Sequence, residues 1–361
     1  MGSLMIDSEG GAAVSSGAVL VTGGAGYVGA HACKALRRAG YSPVVFDNLS
    51  TGQEGFVRWG PLVRGDIRDT TLVLDTINSY SVDAVLHFAA SAYVGESVTN
   101  PRKYYENNVG GSLSLLAAML EAGCRELVFS SSCAIYGEPE EIPIGEMTPQ
   151  NPVNPYGASK AMVERILCDY QRAHEIGTIA LRYFNASGAD PDSELGELRD
   201  PETHLIPRAM MAIQGHINDF AVFGTDYPTP DGTAIRDYIH VSDLAEAHVA
   251  ALQHLLTGKP GGAFNLGTGS GHSVQQVLDA IAAETGENLS VSNAPRREGD
   301  PPVLVADASL SRSELGFTPR LSDLKTIVQT AWMWHRRAHP SLANARSATP
   351  SVKLRNSTPV P

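Results

Sequence analysis

A glycine-rich turn that joins a short apolar run to an amphipathic helix constrains this chain more than any other feature. The run, Ala18–Thr22, predicts a buried strand, and apolar residues recur at helical spacing from Val28 onward. Glycine permits a tight turn, and the helix N-terminus behind it offers free N–H groups and a partial positive charge to an anion. Strand, turn and helix together predict a binding site for the pyrophosphate of a dinucleotide.

The glycines of this turn fit two registers. Gly24, Gly26 and Gly29 match the spacing GxGxxG, whereas Gly23, Gly26 and Gly29 match GxxGxxG. Both patterns allow the backbone to approach a pyrophosphate closely, so the spacing alone leaves the register open.

Asp47 extends the dinucleotide prediction to the choice of cofactor. It follows a second apolar run at residues 43–46 and lies about 20 residues past the glycines. A carboxylate at this place binds the ribose hydroxyls of the cofactor, and its charge repels the additional phosphate of NADP. The sequence therefore favours NAD.

Further apolar runs end in small or polar residues and alternate with helical patterns. Strands that alternate with helices predict a doubly wound parallel α/β sheet, whose ligand binds outside the carboxyl ends of the strands. We expect this first domain to span residues 18–185. The runs lie at residues 62–66, 84–90 and 127–132, and the helical patterns at 69–80 and 101–122.

The alternation weakens after residue 185, where prolines become more frequent. We expect a smaller mixed α/β domain over residues 186–338, which covers the open end of the sheet and forms the substrate cleft with it. Residues 1–17 and 339–361 are rich in small and polar residues and are expected to be disordered tails. Within the second domain, short strands are expected at 220–223 and 262–266, and helices near 205–215, 242–257 and 273–285.

The composition excludes several classes of protein. A hydrophobic content of 43% and a charged content of 18% are typical of a globular enzyme. No apolar run approaches about 18 residues and no basic-then-apolar signal begins the chain, so we expect neither a membrane partner nor secretion. Four cysteines without CxxC spacing fit a reducing cytoplasm. The net charge of −12 argues against a nucleic-acid partner, and the histidines lack the spacing of metal ligands.

Tyr156 and Lys160 are the candidate catalytic pair. Four residues apart, they share one face of a helix. A lysine ammonium near a phenol favours the phenolate, so we expect Lys160 to lower the pKa of Tyr156 towards the working pH. Such a phenolate can take a proton from an alcohol. The pair alone is also compatible with a surface tyrosine beside a solvated lysine.

Together these segments resemble the extended short-chain dehydrogenase/reductase superfamily. The resemblance rests on residues 23–29, Asp47-Asn48, Ser130-Ser131-Ser132 and Tyr156-x-x-x-Lys160. It extends over residues 19–334 and is closest to bacterial UDP-glucose 4-epimerases that feed polysaccharide synthesis. Four segments carry this narrower resemblance: residues 94–97 (VGES), 181–185 (LRYFN), 235–244 (IRDYIHVSDL) and 294–300 (APRREGD).

The resemblance implies a Rossmann-like NAD domain and an NAD-dependent UDP-glucose 4-epimerase that forms a homodimer. Tyr156 would accept the proton of the sugar 4-hydroxyl, and Lys160 would lower its pKa and hold the nicotinamide ribose. Ser132 would hydrogen-bond the same sugar oxygen. The hydride moves from C4 of the sugar to NAD, the 4-keto sugar turns over, and the hydride returns to its other face. NAD therefore stays bound throughout.

The resemblance also implies the remaining contacts. Arg236 and Arg297 would neutralise the diphosphate, because guanidinium suits bidentate phosphate contacts. Asp300 would hold the uridine ribose, and residues 221–223 would line the uracil slot. The cofactor is expected to contact Gly23, Gly26, Tyr27, Val28, Gly29, Asp47, Asn48, Asp66, Ile67, Phe88, Ala89, Ala90, Asn107, Ser130, Tyr156, Lys160 and Tyr183. The UDP-sugar is expected to contact Ser132, Tyr156, Asn185, His204, Leu205, Ala221, Val222, Phe223, Arg236, Tyr238, Arg297, Asp300 and Leu304.

Three positions depart from the family pattern. His204 takes the place of an asparagine, which leaves its diphosphate contact open. Leu304 stands where the family gates bulky 2-acetamido sugars, and where a tyrosine occurs in enzymes restricted to glucose and galactose. Ala134 replaces a hydroxyl residue that some relatives carry two positions past the catalytic serine.

Other functions share parts of this pattern. A UDP-pentose 4-epimerase acting on xylose and arabinose uses the same catalytic set and stays an alternative. A sugar-nucleotide 4,6-dehydratase needs an adjacent Asp-Glu pair past the serine strand, whereas residues 132–135 read Ser-Cys-Ala-Ile. A non-catalytic NAD-sensing protein commonly lacks the tyrosine or the lysine, and this chain has both.

Overall fold

The computed structural model describes residues 17–297 and 299–338, so both predicted tails, apart from Gly17, lie outside the described residues. The strands are β1 (Ala18–Thr22), β2 (Ser42–Asp47), β3 (Leu62–Arg64), β4 (Val82–His87), β5 (Glu126–Ser130), β6 (Gly177–Tyr183), β7 (Asn185–Ser187), β8 (Ala221–Phe223), β9 (Ile235–Arg236), β10 (Tyr238–His240), β11 (Gly262–Leu266), β12 (His272–Ser273), β13 (Ser292–Ala294) and β14 (Val303–Leu304). The helices are α1 (Tyr27–Arg38), α2 (Thr70–Ser79), α3 (Val94–Thr99), α4 (Pro101–Tyr104), α5 (Gly111–Ala122), α6 (Pro155–His174), α7 (Leu205–Ile213), α8 (Val241–Leu256), α9 (Val274–Thr285), α10 (Ser309–Leu315) and α11 (Leu324–Ala338). A π-helical turn, Tyr105–Gly110, joins α4 to α5.

The centre of the molecule is a seven-stranded sheet in the order β11-β6-β5-β4-β1-β2-β3. All its strand pairs are parallel. The order reverses at β1, because the chain crosses from β3 at one edge to β4 on the other side of β1. A crevice opens at such a reversal, outside the carboxyl ends of β1 and β4. The predicted doubly wound parallel sheet is confirmed.

Helices cover both faces of this sheet, which explains why its strands are apolar throughout. Val19 and Val21 point to one face and belong to a buried cluster with residues of α1 and α8. Leu20 points to the other face and belongs to a second cluster with residues of α2, α5 and α6. The alternation of β1 therefore anchors the glycine turn between two well-packed layers.

The second region is built around short strands and the helices α7, α9 and α11. Its core cluster includes Ile206, Phe220, Val277 and Ile327. However, β11 is the edge strand of the central sheet and α8 packs on α1. Two elements after the break predicted at residue 185 therefore belong to the sheet and helix layers of the first domain. Residues 262–266, expected in the second domain, extend the sheet instead. We propose a division that assigns residues 241–266 to the NAD domain.

A buried ion pair holds the helix α6 against the sheet. The Glu164 carboxylate accepts hydrogen bonds from Nη2 of Arg182 at 2.6 Å, from Nε of the same residue and from the Ser131 hydroxyl. Arg182 lies on β6, and Ser131 follows β5 directly. Breaking a buried ion pair leaves an uncompensated charge, which is costly. The pair therefore holds α6 in one position relative to the ends of β5 and β6.

The cysteines of the chain are free thiols, Cys33, Cys124, Cys133 and Cys168. Burial raises the pKa of the Cys124 and Cys133 thiols to about 12, so neither forms a reactive thiolate. Within the described residues, we find no helix with the length and apolar character needed to span a membrane.

Candidate active site

The glycine turn lies at the crevice, and its geometry selects one of the two registers. Gly23 has a φ of 72°, and a Cβ there would lie 2.7 Å from the Ala89 nitrogen. A Cβ on Gly29 would lie 2.3 Å from the Gly23 carbonyl oxygen, so α1 can approach the turn only without a side chain there. Gly23, Gly26 and Gly29 line the crevice and Gly24 does not, which favours GxxGxxG.

Asp47 connects the glycine turn to the end of β2. Its carboxylate accepts hydrogen bonds from the backbone nitrogens of Ala25 at 3.0 Å and Leu49 at 2.8 Å. Burial raises the pKa of this carboxyl group, and the two N–H donors oppose that rise. The carboxylate lies at the crevice beside Asn48, where it can meet a ribose.

The crevice is a cleft of about 570 Å³ that runs along the carboxyl ends of the strands. It contains most of the residues predicted to bind the cofactor: Gly23, Gly26, Tyr27, Val28, Gly29, Asp47, Asn48, Ile67, Phe88, Ala89, Ala90, Asn107, Ser130 and Tyr183. Asp66 is not among its lining residues, and its carboxylate is paired with Arg68, which does line the cleft. The Arg68 partner holds the pKa of Asp66 at about 2.

These features fit NAD. The first turn of α1 has no acidic residue, so nothing there opposes a pyrophosphate at the helix N-terminus. The glycine turn leaves no space for side chains, and Asp47 is available to a ribose. The donor and acceptor groups of the cleft are therefore those that a dinucleotide needs.

The helix α6 brings Tyr156 and Lys160 to the end of β5. The side chain of Asn154 caps this helix by accepting from the Gly157 nitrogen at 2.9 Å. The Lys160 ammonium donates to the Ser130 carbonyl oxygen at 2.7 Å and lies 5.9 Å from the centre of the Tyr156 ring. Both side chains are buried, which excludes the alternative of a solvated surface pair.

The pKa of Tyr156 moves in the direction opposite to our expectation. Burial raises it, because a phenolate is costly to desolvate, and the positive charge that partly lowers it again is that of Arg199. A hydrogen bond with Ser132 opposes the rise. Burial also lowers the pKa of Lys160 to about 7. The lowering of the Tyr156 pKa that we expected from Lys160 is therefore not observed.

The ends of β5 and β6 complete this part of the site. The Ser132 oxygen accepts from the Ala134 nitrogen at 3.2 Å and lies beside Tyr156. The hydroxyl groups of Ser130 and Tyr183 are hydrogen-bonded at 2.7 Å. The structure thus brings Ser132, Tyr156 and Lys160 together beside Ser130 and Tyr183, which line the cleft.

Three residues predicted to bind the substrate lie close together. Arg236 on β9 forms an ion pair with Asp300, and Leu304 on β14 is the registered partner of Arg236. Leu304 is half-buried and packs against the cluster that contains Cys133, the residue after Ser132. The Asn185 nitrogen donates to the Asp237 oxygen at 2.9 Å, which ties β7 to the same region.

Other predicted substrate residues have different surroundings. The side chains of Val222 and Tyr238 are buried in the core of the second region, and the contact of these two residues with substrate stays a prediction. In β8 the side chains alternate, and Ala221 and Phe223 face away from that core. Arg297 stacks on Phe223 with its Cζ 4.1 Å from the ring centre.

The start of α7 holds two residues that the resemblance assigns to the substrate, His204 just before the helix and Leu205, and their contacts with it stay predictions. Nδ1 of His204 lies 2.7 Å from the Glu197 carboxylate, so this histidine already has an anionic partner. Leu205, the first residue of α7, packs against the core cluster of the second region. Neither side chain is among the residues lining the cleft.

A π-helical turn that the sequence analysis missed links the cleft to α6. Asn107 lines the cleft. Asn108 accepts from the Ser91 nitrogen at 2.7 Å and donates to the Ser159 hydroxyl at 2.9 Å. Such turns are frequent at functional sites. Here Asn107 faces the cleft, while its neighbour Asn108 bonds to Ser91 and Ser159. Helical periodicity alone does not reveal this irregularity.

Arg199 and Tyr93 also line the cleft and were not predicted to do so. Tyr93 lies next to the segment 94–97 that carries part of the family resemblance. Arg199 lies in an irregular segment, and no local pattern marks it as a residue of the cofactor cleft.

Comparison with known proteins agrees with this geometry. A family profile described as "NAD dependent epimerase/dehydratase family" matches residues 19–267. A UDP-glucose 4-epimerase of Rhizobium meliloti (strain 1021) is 50% identical over 319 residues, which cover 88% of this chain and 97% of the relative.

Solved structures give the same result. The UDP-glucose 4-epimerase of Brucella ovis in complex with NAD is 55% identical, with a TM-score of 0.86, covering 88% of this chain and 98% of that one. A Stenotrophomonas maltophila UDP-glucose-4-epimerase with bound NAD and formylated UDP-arabinopyranose is 40% identical, with a TM-score of 0.86, covering 92% and 100%. The profile, the relatives and the cleft together show that this chain belongs to the NAD dependent epimerase/dehydratase family.

Proposed function

We propose that this protein interconverts UDP-glucose and UDP-galactose through a transient 4-keto sugar, with NAD bound throughout. One observation carries the proposal: Ser132, Tyr156 and Lys160 meet beside a dinucleotide cleft in a chain that resembles UDP-glucose 4-epimerases over most of its length. Neither the non-catalytic alternative nor the UDP-pentose alternative is favoured by these relatives.

The proposed chemistry assigns a proton to the protein and a hydride to the cofactor. NAD, when bound, would supply a hydride acceptor for C4 of the sugar and a hydride donor for the return step. Tyr156 takes the proton of the 4-hydroxyl in the first half and returns it in the second. Because burial raises the pKa of Tyr156, its phenolate needs the Ser132 hydrogen bond and nearby positive charge.

In the proposed function, residues of the second region bind the substrate. Arg236 and Arg297 bind the diphosphate, Asp300 the uridine ribose, and Asn185 the diphosphate or the sugar. The ion pair between Arg236 and Asp300 supports this assignment, because each group holds the other in place beside the active-site end of the sheet. Phe223, with Arg297 stacked on it, offers an aromatic face for uracil.

The direct test is turnover without added cofactor. We expect the purified protein to convert UDP-glucose to UDP-galactose without added NAD, and to release NAD, not NADP, on denaturation. The same assay with UDP-xylose distinguishes a pentose epimerase. An absence of hexose turnover in protein that carries NAD would contradict the proposal, and bound NADP would contradict the role of Asp47.

Leu304 supplies a prediction about substrate breadth. Its position beside Arg236 and near Ser132 supports a role as the gate for a 2-acetamido group. A tyrosine ring there would fill space that leucine leaves, and overpacking commonly costs about 1–3 kcal/mol. We expect efficient turnover of UDP-glucose and weak turnover of UDP-N-acetylglucosamine. Leu304→Tyr should abolish the weak activity and spare the main one. Retention of the acetamido activity by this variant would show that the gate lies elsewhere.

We also propose that two copies of the chain associate through the helices that flank the π-helical turn. The helices α3, α4 and α6 pack against one another. Several large apolar side chains on this side of the sheet are exposed: Val98, Tyr105, Leu113 and Met162. Apolar exposure of this kind commonly marks an interface. Light scattering after size-exclusion chromatography should give twice the chain mass, and Met162→Glu should shift it towards one.

A further inference from the structure

The cofactor cleft receives one half-buried cation from the second half of the chain. Of its described lining residues, only Leu198 and Arg199 come after Tyr183. They belong to the irregular segment between β7 and α7. Arg199 therefore brings a cation to the cleft from a part of the chain that is remote in sequence from the glycine turn.

Neighbouring side chains hold this guanidinium in one orientation. Nε of Arg199 lies 2.9 Å from the Glu197 carboxylate, and Cζ lies 5.8 Å from the centre of the Tyr93 ring. Nη1 lies 3.5 Å from Nε2 of His204. Nη2 has no hydrogen-bond partner among the described residues, so it keeps two N–H groups for a ligand.

The other cations of the cleft lie at its outer rim. Arg68, Arg102 and Lys103 each pair with a carboxylate on their own side of the molecule, and all three side chains are largely exposed. Arg199 is 21% exposed, so water screens its charge less. Burial raises the pKa of Tyr27, and the charge of Arg199 partly opposes this rise. Tyr27 is the first residue of α1, at the end where a pyrophosphate binds.

We propose that Arg199, from the second half of the chain, binds the pyrophosphate of NAD together with the N-terminus of α1. The pyrophosphate carries two negative charges, and the helix N-terminus alone supplies only a partial positive charge. Glu197 and Tyr93 orient the guanidinium before the cofactor arrives, so little order is lost on binding. This contact helps to keep NAD in place while the substrate enters, turns and leaves.

The test measures retention of NAD by the full chain without any sugar. The variants are Arg199→Gln, Arg199→Lys and, as a control, Arg102→Gln, which removes an exposed rim cation. NAD per chain is measured after denaturation, and NAD release is followed by exchange with labelled NAD. Because no sugar is present, the result stands even if the chain failed to epimerise UDP-glucose.

We expect Arg199→Gln to release NAD at least about tenfold faster, since a charge-assisted hydrogen bond is lost. Arg199→Lys should fall between this variant and the wild type, and Arg102→Gln should stay within about twofold of the wild type. Added salt should speed release more in the wild type than in Arg199→Gln.

Three results would overturn the inference. The first is NAD retention by Arg199→Gln equal to that of the wild type. If retention is unchanged and only the pH profile of turnover of this variant shifts, Arg199 acts on Tyr156 instead. The second is faster NAD loss from Arg199→Gln and Arg199→Lys that is accompanied by an equal drop in the apoprotein melting temperature of each variant. That result would mean that Arg199 is only a counter-ion of Glu197. If Arg199→Gln does not fold, the third applies: folded Arg199→Lys releasing NAD at the wild-type rate.

Discussion

Replacing Tyr156 by phenylalanine should lower kcat by at least about a hundredfold, the usual scale for loss of a general acid/base. The phenol is the group that lies beside Ser132, and its ring is buried at the start of α6. Phenylalanine fills the same space and removes only the hydroxyl. The fold and the NAD content should therefore be preserved, and the loss should appear in kcat rather than in stability.

Tyr170→Phe is the matched control for this variant. Tyr170 lies on the same helix, α6, and its ring contacts His174 away from the cleft. We expect wild-type turnover from this control. If Tyr156→Phe also kept near-wild-type turnover, another group would have to carry the proton. A loss of NAD from Tyr156→Phe would instead assign the residue to cofactor binding.

Replacing Gly29 by alanine should remove NAD from the purified protein. The added Cβ would lie 2.3 Å from the Gly23 carbonyl oxygen, and that atom belongs to the backbone of the turn. The start of α1 must then move away from β1, so the N–H groups of the helix no longer converge on a pyrophosphate. We expect NAD affinity to fall at least about a hundredfold, because several charge-assisted hydrogen bonds weaken together.

Gly95→Ala is the control for this second variant. A Cβ on Gly95 meets nothing within 4 Å, and alanine is a better helix former than glycine in α3. This control should keep its NAD and its stability. Titration of the apoproteins with NAD separates the two outcomes. Stoichiometric NAD in purified Gly29→Ala would mean that the turn relaxes around the methyl group.

Much of the cofactor site follows from local sequence, because its parts are short and contiguous. The run Ala18–Thr22, the glycines after it and Asp47 each have a local physical signature, and these residues lie at the cleft as predicted. The spacing of Tyr156 and Lys160 likewise predicts one helix face. The fold class follows from the alternation of strands and helices, which parallel sheets require.

The substrate side depended on contacts between residues far apart in the chain. In β8, strand alternation turns Val222 into the core and Phe223 outward, and only the packing of the second region shows which face is which. The edge strand β11 looks like part of the second domain because its partner, β6, ends 79 residues before it begins, at Tyr183 and Gly262. Local patterns carry no information about such pairings.

By itself, then, the sequence predicted the parallel α/β fold, the glycine turn, the preference for NAD and the Tyr156 and Lys160 pair, and the family resemblance added Ser132. Periodicity and spacing report the fold, the turn and the pair because each depends on neighbours within a turn or a strand. Only the tertiary structure decided the register of the turn, the direction of the Tyr156 pKa shift and the arrival of Arg199 at the cleft. Burial and charge depend on which distant segments meet, and no local pattern contains that information.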